Sequence, residues 1–129
     1  MTCVVARPGV IITDSLDTGT VKRSGPKAFK RNGYLIGGSG ESGPLNILEH
    51  VIKWPPFPSV ESLTAFVYEH HDTDALDFNR VCLVVATASS VFVLDDSCWY
   101  ECQEAAIGSG AAYALGYLRA KPKDFNGAV

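Results

Sequence analysis

Between Arg80 and Cys102 the chain carries three strand-length apolar runs, Val81 to Thr87, Val91 to Leu94 and Cys98 to Cys102. They are separated only by Ala88-Ser89-Ser90 and Asp95-Asp96-Ser97. Links this short cannot hold a crossover helix, so successive runs must pair antiparallel as a β-meander. A sheet is therefore fixed in the second half of the chain, and the other segments have to cover its faces.

Upstream, Thr2 to Ala6 and Val10 to Thr13 read as strands around the turn Arg7-Pro8-Gly9. Two more, Lys27 to Lys30 and Tyr34 to Ile36, flank Asn32-Gly33, a strong hairpin signal. Asp14 to Gly25 is a polar stretch, and Gly37-Gly38-Ser39-Gly40 is expected to break the sheet. Leu45, Leu48 and Ile52 recur at helical spacing within Pro44 to Lys53, with Ser42 as the expected N-cap. Trp54-Pro55-Pro56-Phe57-Pro58 stops that helix, and Ser59 caps a second whose inner face is Val60, Leu63, Phe66 and Val67. His70 to Asn79 reads as a loop, and Ala105 to Gly110 as a small-residue link into a third helix, Ala111 to Ala120. Strands, two helices, strands and a helix make an α+β layered fold, expected as one domain over residues 1–129.

With 47% hydrophobic and 19% charged residues, the chain can bury a core and has no tract biased toward disorder. The net charge of −3 gives no general attraction to polyanions. The one basic cluster, Lys22, Arg23, Lys27, Lys30 and Arg31, lacks an aromatic stacking platform, so nucleic acid is not an expected partner. No apolar run approaches the ~20 residues of a membrane helix, and a cytoplasmic location is expected. Cys3, Cys82, Cys98 and Cys102 contain no C-x-x-C and lie mostly in strand-like sequence, which points to buried thiols. Glu69-His70-His71-Asp72 and Asp74 read as a solvated acidic loop, so no metal and no cofactor is expected.

Thr2 stands directly behind Met1 at the head of the first strand. Once Met1 is removed, which the small Thr2 side chain favours, one residue holds a hydroxyl nucleophile and an α-amine that can act as its base. Such an amine ordinarily titrates near pH ~8. Asp14 ends the second strand, Lys27 begins the third, and Gly37-Gly38-Ser39-Gly40 can offer backbone N–H groups to an oxyanion.

The segment Ala105-Ala106-Ile107-Gly108-Ser109-Gly110-Ala111-Ala112-Tyr113-Ala114-Leu115 closely resembles the A-I-G-S-G-x-x-Y-A motif of the proteasome-like peptidases, the HslV type and the proteasome β subunits. The opening hairpin, Lys27 and the segment Leu35 to Gly40 resemble theirs as well. The resemblance runs from Thr2 to about Arg119 and is weak from Trp54 to Asn79. It implies an αββα four-layer sandwich of the N-terminal nucleophile hydrolase type, abbreviated at its C-terminus by the last helix and strands. It also implies a threonine peptidase in which Thr2 is the nucleophile, Lys27 the electrostatic activator held by Asp14, Ser109 an orienting group and the Gly40 N–H the oxyanion donor. Implied partners are unfolded polypeptide substrates, an ATP-dependent unfoldase and further copies of the chain in a homo-oligomeric ring, in bacteria or tailed bacteriophages. The alternative is a catalytically inactive ring-forming subunit of the same fold. Gly40-Glu41-Ser42-Gly43-Pro44 also resembles the nucleophile loop of trypsin-like proteases, but their two barrels do not fit in this chain.

Overall fold

The computed structural model describes residues 3–13, 28–70, 77–95, 98–108 and 110–123, with backbone alone at Ser42. Its secondary structure is mixed: two antiparallel sheets and three α-helices. The chain opens with β1 (Val4–Arg7) and β2 (Val10–Thr13), joined by Pro8-Gly9. Proline followed by a glycine at φ +80° is the signature of a type II turn. Strands β3 (Ala28–Arg31) and β4 (Tyr34–Gly40) form the second hairpin. Asn32 and Gly33 take φ 51° and 86°, the two positive values that a type I′ turn requires. The Asn32 side chain then donates to the carbonyls of Trp54 and Pro55, each at 3.1 Å, and ties this hairpin to the proline-rich segment.

The meander forms as expected, with β5 (Val81–Ala86), β6 (Val91–Asp95) and β7 (Cys98–Cys102) extending the order β3-β4-β5-β6-β7. Two expectations fail at the sheets. The glycine run does not break the sheet: β4 continues through Gly40, and Gly37 to Gly40 pair with Val84 to Val81. The reason is packing. A Cβ at Gly37 would stand 2.8 Å from Val4 Cγ1 and 3.1 Å from Val84 Cγ2, and one at Gly38 would stand 2.6 Å from Leu45 Cδ2. The glycines let β1 approach on one face and a helix on the other. Second, Ala105–Ile107 is a strand, β8, paired antiparallel with β1 in the sheet β2-β1-β8. Ala105 and Ile107 are buried toward the larger sheet, the period of two that the link reading overlooked.

Helix α1 (Ser42–His50) starts two residues earlier than the spacing predicts and ends three residues sooner. Ser42 is its first helical residue and not its cap; Glu41, in extended conformation, holds that position, and its side chain makes no capping hydrogen bond. Helix α2 (Val60–His70) has the expected Ser59 cap: Ser59 Oγ accepts from the Ser62 N–H at 3.0 Å, and Ser62 Oγ accepts from the Ser59 N–H at 2.8 Å. This reciprocal exchange satisfies two amide donors. Leu63 and Phe66 are buried as expected, while Val60 is exposed on the first turn. Part of the His70 to Asn79 loop lies outside the described residues; Phe78–Arg80 forms a short 3-10 turn capped by Asp77. Helix α3 (Ala111–Ala120) has the expected limits. Cys3 is buried, Cys82 and Cys102 are half-buried, and Cys98 is exposed, which corrects the expectation of uniformly buried thiols.

Three apolar groups hold these elements together. Ile36, Leu83, Val85 and Leu94 pack with Leu48 of α1 and Leu63 and Phe66 of α2 on one face of the five-stranded sheet. Trp54 stacks on Phe66 at 4.5 Å, meets Phe29 edge-on and donates its indole N–H to Leu48 O at 2.8 Å. On the opposite face, Val84, Ala86, Val91 and Val93 meet Val4, Ala6, Ala105 and Ile107 of the smaller sheet. Beyond that sheet, Cys3 and Val5 meet Ala114 and Leu118 of α3. The Gly9 N–H donates to Thr87 O at 2.6 Å, anchoring the β1–β2 turn to the larger sheet.

Gly37→Ala forces both sheets to shift and should destabilise the protein by about 1–3 kcal/mol. Gly116→Ala, in mid-helix with nothing within 4 Å, should stabilise it by about 0.5–1 kcal/mol. Denaturant midpoints measure both. Tyr34 makes a pH prediction. Its ring is buried and its hydroxyl donates to Pro55 O at 2.5 Å. Burial raises the phenol pKa above the ordinary 10.0, partly offset by a hydrogen bond from Asn32. The unfolded chain then loses its Tyr34 proton at a lower pH than the folded one, so this group's contribution is complete below pH 10 and is lost as pH rises through the raised folded value. Replacing Tyr34 by Phe should flatten the alkaline fall in stability, measured as urea midpoints between pH 8 and about 11.

Candidate functional site

Of the residues the sequence singles out, Gly40 is described; Thr2, Asp14, Lys27 and Ser109 lie outside the described residues. Their neighbours in the chain fix the frame. Val4 stands opposite Thr13 on β2 and opposite Ile107 on β8, so the start of β1, the end of β2 and the end of β8 share one end of the smaller sheet. On the larger sheet the same end is the Gly40 end of β4. Gly37 lies against Val4, while the Gly9 turn at the far end of β1 is bonded to Thr87, just past β5, where Ala86 pairs with Leu35. Following β1 back toward its start therefore leads along β4 from Gly37 toward Ser39 and Gly40.

Gly40 has φ +126°, and a Cβ there would collide with the Arg80 carbonyl oxygen and stand 2.9 Å from Val81 Cα. No other residue fits this backbone. The Glu41 N–H donates to Arg80 O at 3.2 Å, and the alternation of an antiparallel ladder then turns the Gly40 N–H away from β5. Arg80 also pairs with Glu41 at 3.1 Å and with Asp77 at 3.5 Å, holding the β4–α1 junction against the 3-10 turn.

Two helices begin at this end. In α1 the first helical amide bond runs from Leu45 N to Glu41 O, and Pro44 has no N–H, which leaves the amides of Ser42 and Gly43 without helical acceptors. In α3 the Ala114 N–H donates to Gly110 O, and Gly110, in the N-cap position, has no side chain with which to cap the helix. Each uncapped N-terminus acts as roughly half a positive charge and favours an anion or a neutral amine nearby. Ser39, one residue before Gly40, is buried on the face that meets the smaller sheet, a feature the sequence reading passed over because it took the whole glycine run as a break.

His70 packs edge-on against Phe66 at 5.1 Å, and residues 71–76 lie outside the described set. Among the described residues no group of three or more His, Cys, Asp or Glu side chains is placed to hold a metal ion. No described helix is long and apolar enough to cross a membrane.

No protein-family model and no curated protein matches the sequence. Solved structures do match in fold. The chain is similar to Thiobacillus denitrificans BPH in complex with epoxomicin, with a TM-score of 0.70 and 21% identity over 95% of this chain and 79% of that one. A second structure of Thiobacillus denitrificans BPH gives a TM-score of 0.67 at 21% identity over the same shares. Eukaryotic HslV from Trypanosoma brucei gives 0.63 at 20% identity over 92% of this chain and 77% of that one. The chain shares the fold of these BPH and HslV structures, the type of fold that its opening hairpin and its Ala105 to Leu115 segment lead one to expect.

Gly40→Ala should destabilise the protein by at least about 2 kcal/mol, combining backbone strain with the Arg80 clash. Gly43→Ala, three residues on with nothing within 4 Å, should change stability by less than about 1 kcal/mol. Chemical denaturation of the two variants side by side measures the difference.

Proposed function

We propose that the chain is an N-terminal threonine peptidase of the proteasome and HslV type. The observation that carries this reading is the convergence at one end of the two sheets: the start of β1, a glycine-only backbone at Gly40, and two uncapped helix N-termini. Similarity in fold to BPH, solved in complex with epoxomicin, and to HslV supports it. The succession of α1 and α2, larger sheet, smaller sheet and α3 supports a four-layer αββα sandwich formed as one domain.

In this reading, removal of Met1 frees the Thr2 α-amine. The Thr2 hydroxyl oxygen attacks a peptide carbonyl while its proton passes to that amine. The oxyanion of the tetrahedral intermediate accepts from the Gly40 N–H, and the positive ends of α1 and α3 stabilise its charge. Collapse breaks the C–N bond, and the leaving amine takes the proton back from the Thr2 ammonium. Water then hydrolyses the resulting ester and restores Thr2. Lys27, held by Asp14, lowers the pKa of the reacting pair by its charge, and Ser109 orients the amine. No cofactor takes part in these steps. Unfolded polypeptides are the proposed substrates, delivered in the cytoplasm to a homo-oligomeric ring by an ATP-dependent unfoldase.

Intact-mass measurement of the purified protein should find Met1 removed. Wild type should hydrolyse unfolded polypeptide at least about a thousandfold faster than Thr2→Ala, the scale on which nucleophile removal acts. Epoxomicin should bind the wild type and not the variant. Retained Met1 together with equal rates would overturn the peptidase and leave a ring-forming subunit without catalysis.

A further inference from the structure

We infer that Arg80 is a positioning residue of the proposed peptidase: its guanidinium draws the Glu41 carboxylate off the amides that start α1 and offsets its charge one residue from the Gly40 N–H. The inference rests on the peptidase reading and adds to it a residue outside the reacting groups. Glu41 follows Gly40 directly and holds the N-cap position of α1, where a side-chain acceptor ordinarily bonds an amide of the first turn. Its carboxylate makes no such bond. Glu41 Oε2 instead accepts from Arg80 Nη1 at 3.1 Å.

Arg80 is placed for this by its own neighbours. The Asp77 carboxylate accepts from the Asn79 N–H at 2.9 Å through Oδ1 and meets Arg80 Nε at 3.5 Å through Oδ2, so the 3-10 turn sets the direction of the guanidinium. The Arg80 carbonyl accepts from the Glu41 N–H at 3.2 Å and lies so close to Gly40 that only glycine fits there. One residue thus holds Glu41 by both its backbone and its side chain. The two side chains of the pair are more than half exposed, at 58% and 57%, so the pair adds little to folding. Its consequence is electrostatic. An unmatched carboxylate at this position would oppose the charge that gathers on an oxyanion at the Gly40 N–H. It would also compete for the amides of Ser42 and Gly43, which have no helical acceptors. Arg80 acts through Glu41, and no bond to either side chain forms or breaks in the reaction.

The test compares the mature wild-type protein with Arg80→Gln, Arg80→Lys and a double variant carrying Arg80→Gln and Glu41→Gln, assayed for peptide hydrolysis and thermal stability with Thr2→Ala as the blank. Arg80→Gln should lower kcat about two- to fivefold at low ionic strength with KM unchanged and little change in Tm, the scale on which one charge acts at a helix start. The loss should shrink in about 1 M salt, where the screening length falls to ~3 Å. Arg80→Lys, which keeps the charge, should recover most of the rate, and the double variant should recover it without any cation. Arg80→Gln at the wild-type kcat overturns the role. So does a loss that persists both at high salt and in the double variant, since that is the behaviour of a loosened junction. A wild type no faster than Thr2→Ala fails differently: it removes the peptidase itself, and this inference with it.

Discussion

The approach of β1 to β4 at Gly37 is the contact on which the rest of the molecule depends. With hydrogen in place of a side chain, Gly37 lets Val4 settle onto the larger sheet, and small residues at Ala6, Ala86 and Ala105 keep the inter-sheet layer thin. Close packing across this layer removes apolar surface from water at about 25 cal/mol per Å², and one added methyl would prise it open. The same approach fixes which end of β1 meets which end of β4. The end of β1 that begins at Val4 is directed along β4 toward Gly40 because Val4 sits on Gly37.

A second constraint acts at the junction of β4 and α1. Gly40 takes a backbone conformation closed to other residues, so that the strand can turn into the helix while Glu41 remains bonded to Arg80 O. Arg80 contributes its carbonyl to the ladder and its guanidinium to Glu41 and Asp77. Exposed pairs of this kind add little stability. Their effect here is positional: the Glu41 carboxylate, next to the start of α1, is matched by a cation and does not cancel the positive end of that helix.

Elements whose causes are local were legible in the sequence. The Asn32-Gly33 turn, the Ser59 cap, the meander and the limits of α3 each follow from residues within a few positions of one another. Elements whose causes are distant were not. Ala105-Ala106-Ile107 is too short to announce a strand, and its partner Val4-Val5-Ala6 lies about a hundred residues away in sequence. The glycine run looked like a break because glycine usually marks freedom, whereas here it marks crowding from Val4 on one side and Leu45 on the other. Ser42 looked like a cap by residue type, but Gly40 and the Arg80 bond place Glu41 there instead. Of the site, the sequence supplied candidate residues and a family motif; it could not supply the common end at which their neighbours meet.

The electrostatics of that end favour one kind of chemistry over another. The N-termini of α1 and α3 lie at this end of the sheets, and the carboxylate of Glu41, which precedes α1, is paired with Arg80. In such a field an α-amine, ordinarily near ~8, loses its proton more readily and is more often the neutral base at pH 7. The hydroxyl beside it ionises more easily, and an oxyanion is stabilised as it forms. A carboxylate placed there would be a poorer base than in water, since the same field holds it ionised. A base that is cationic when protonated gains from positive surroundings, and a base that is anionic when deprotonated loses. A field of this sign is the one that the amine base of the proposed mechanism requires.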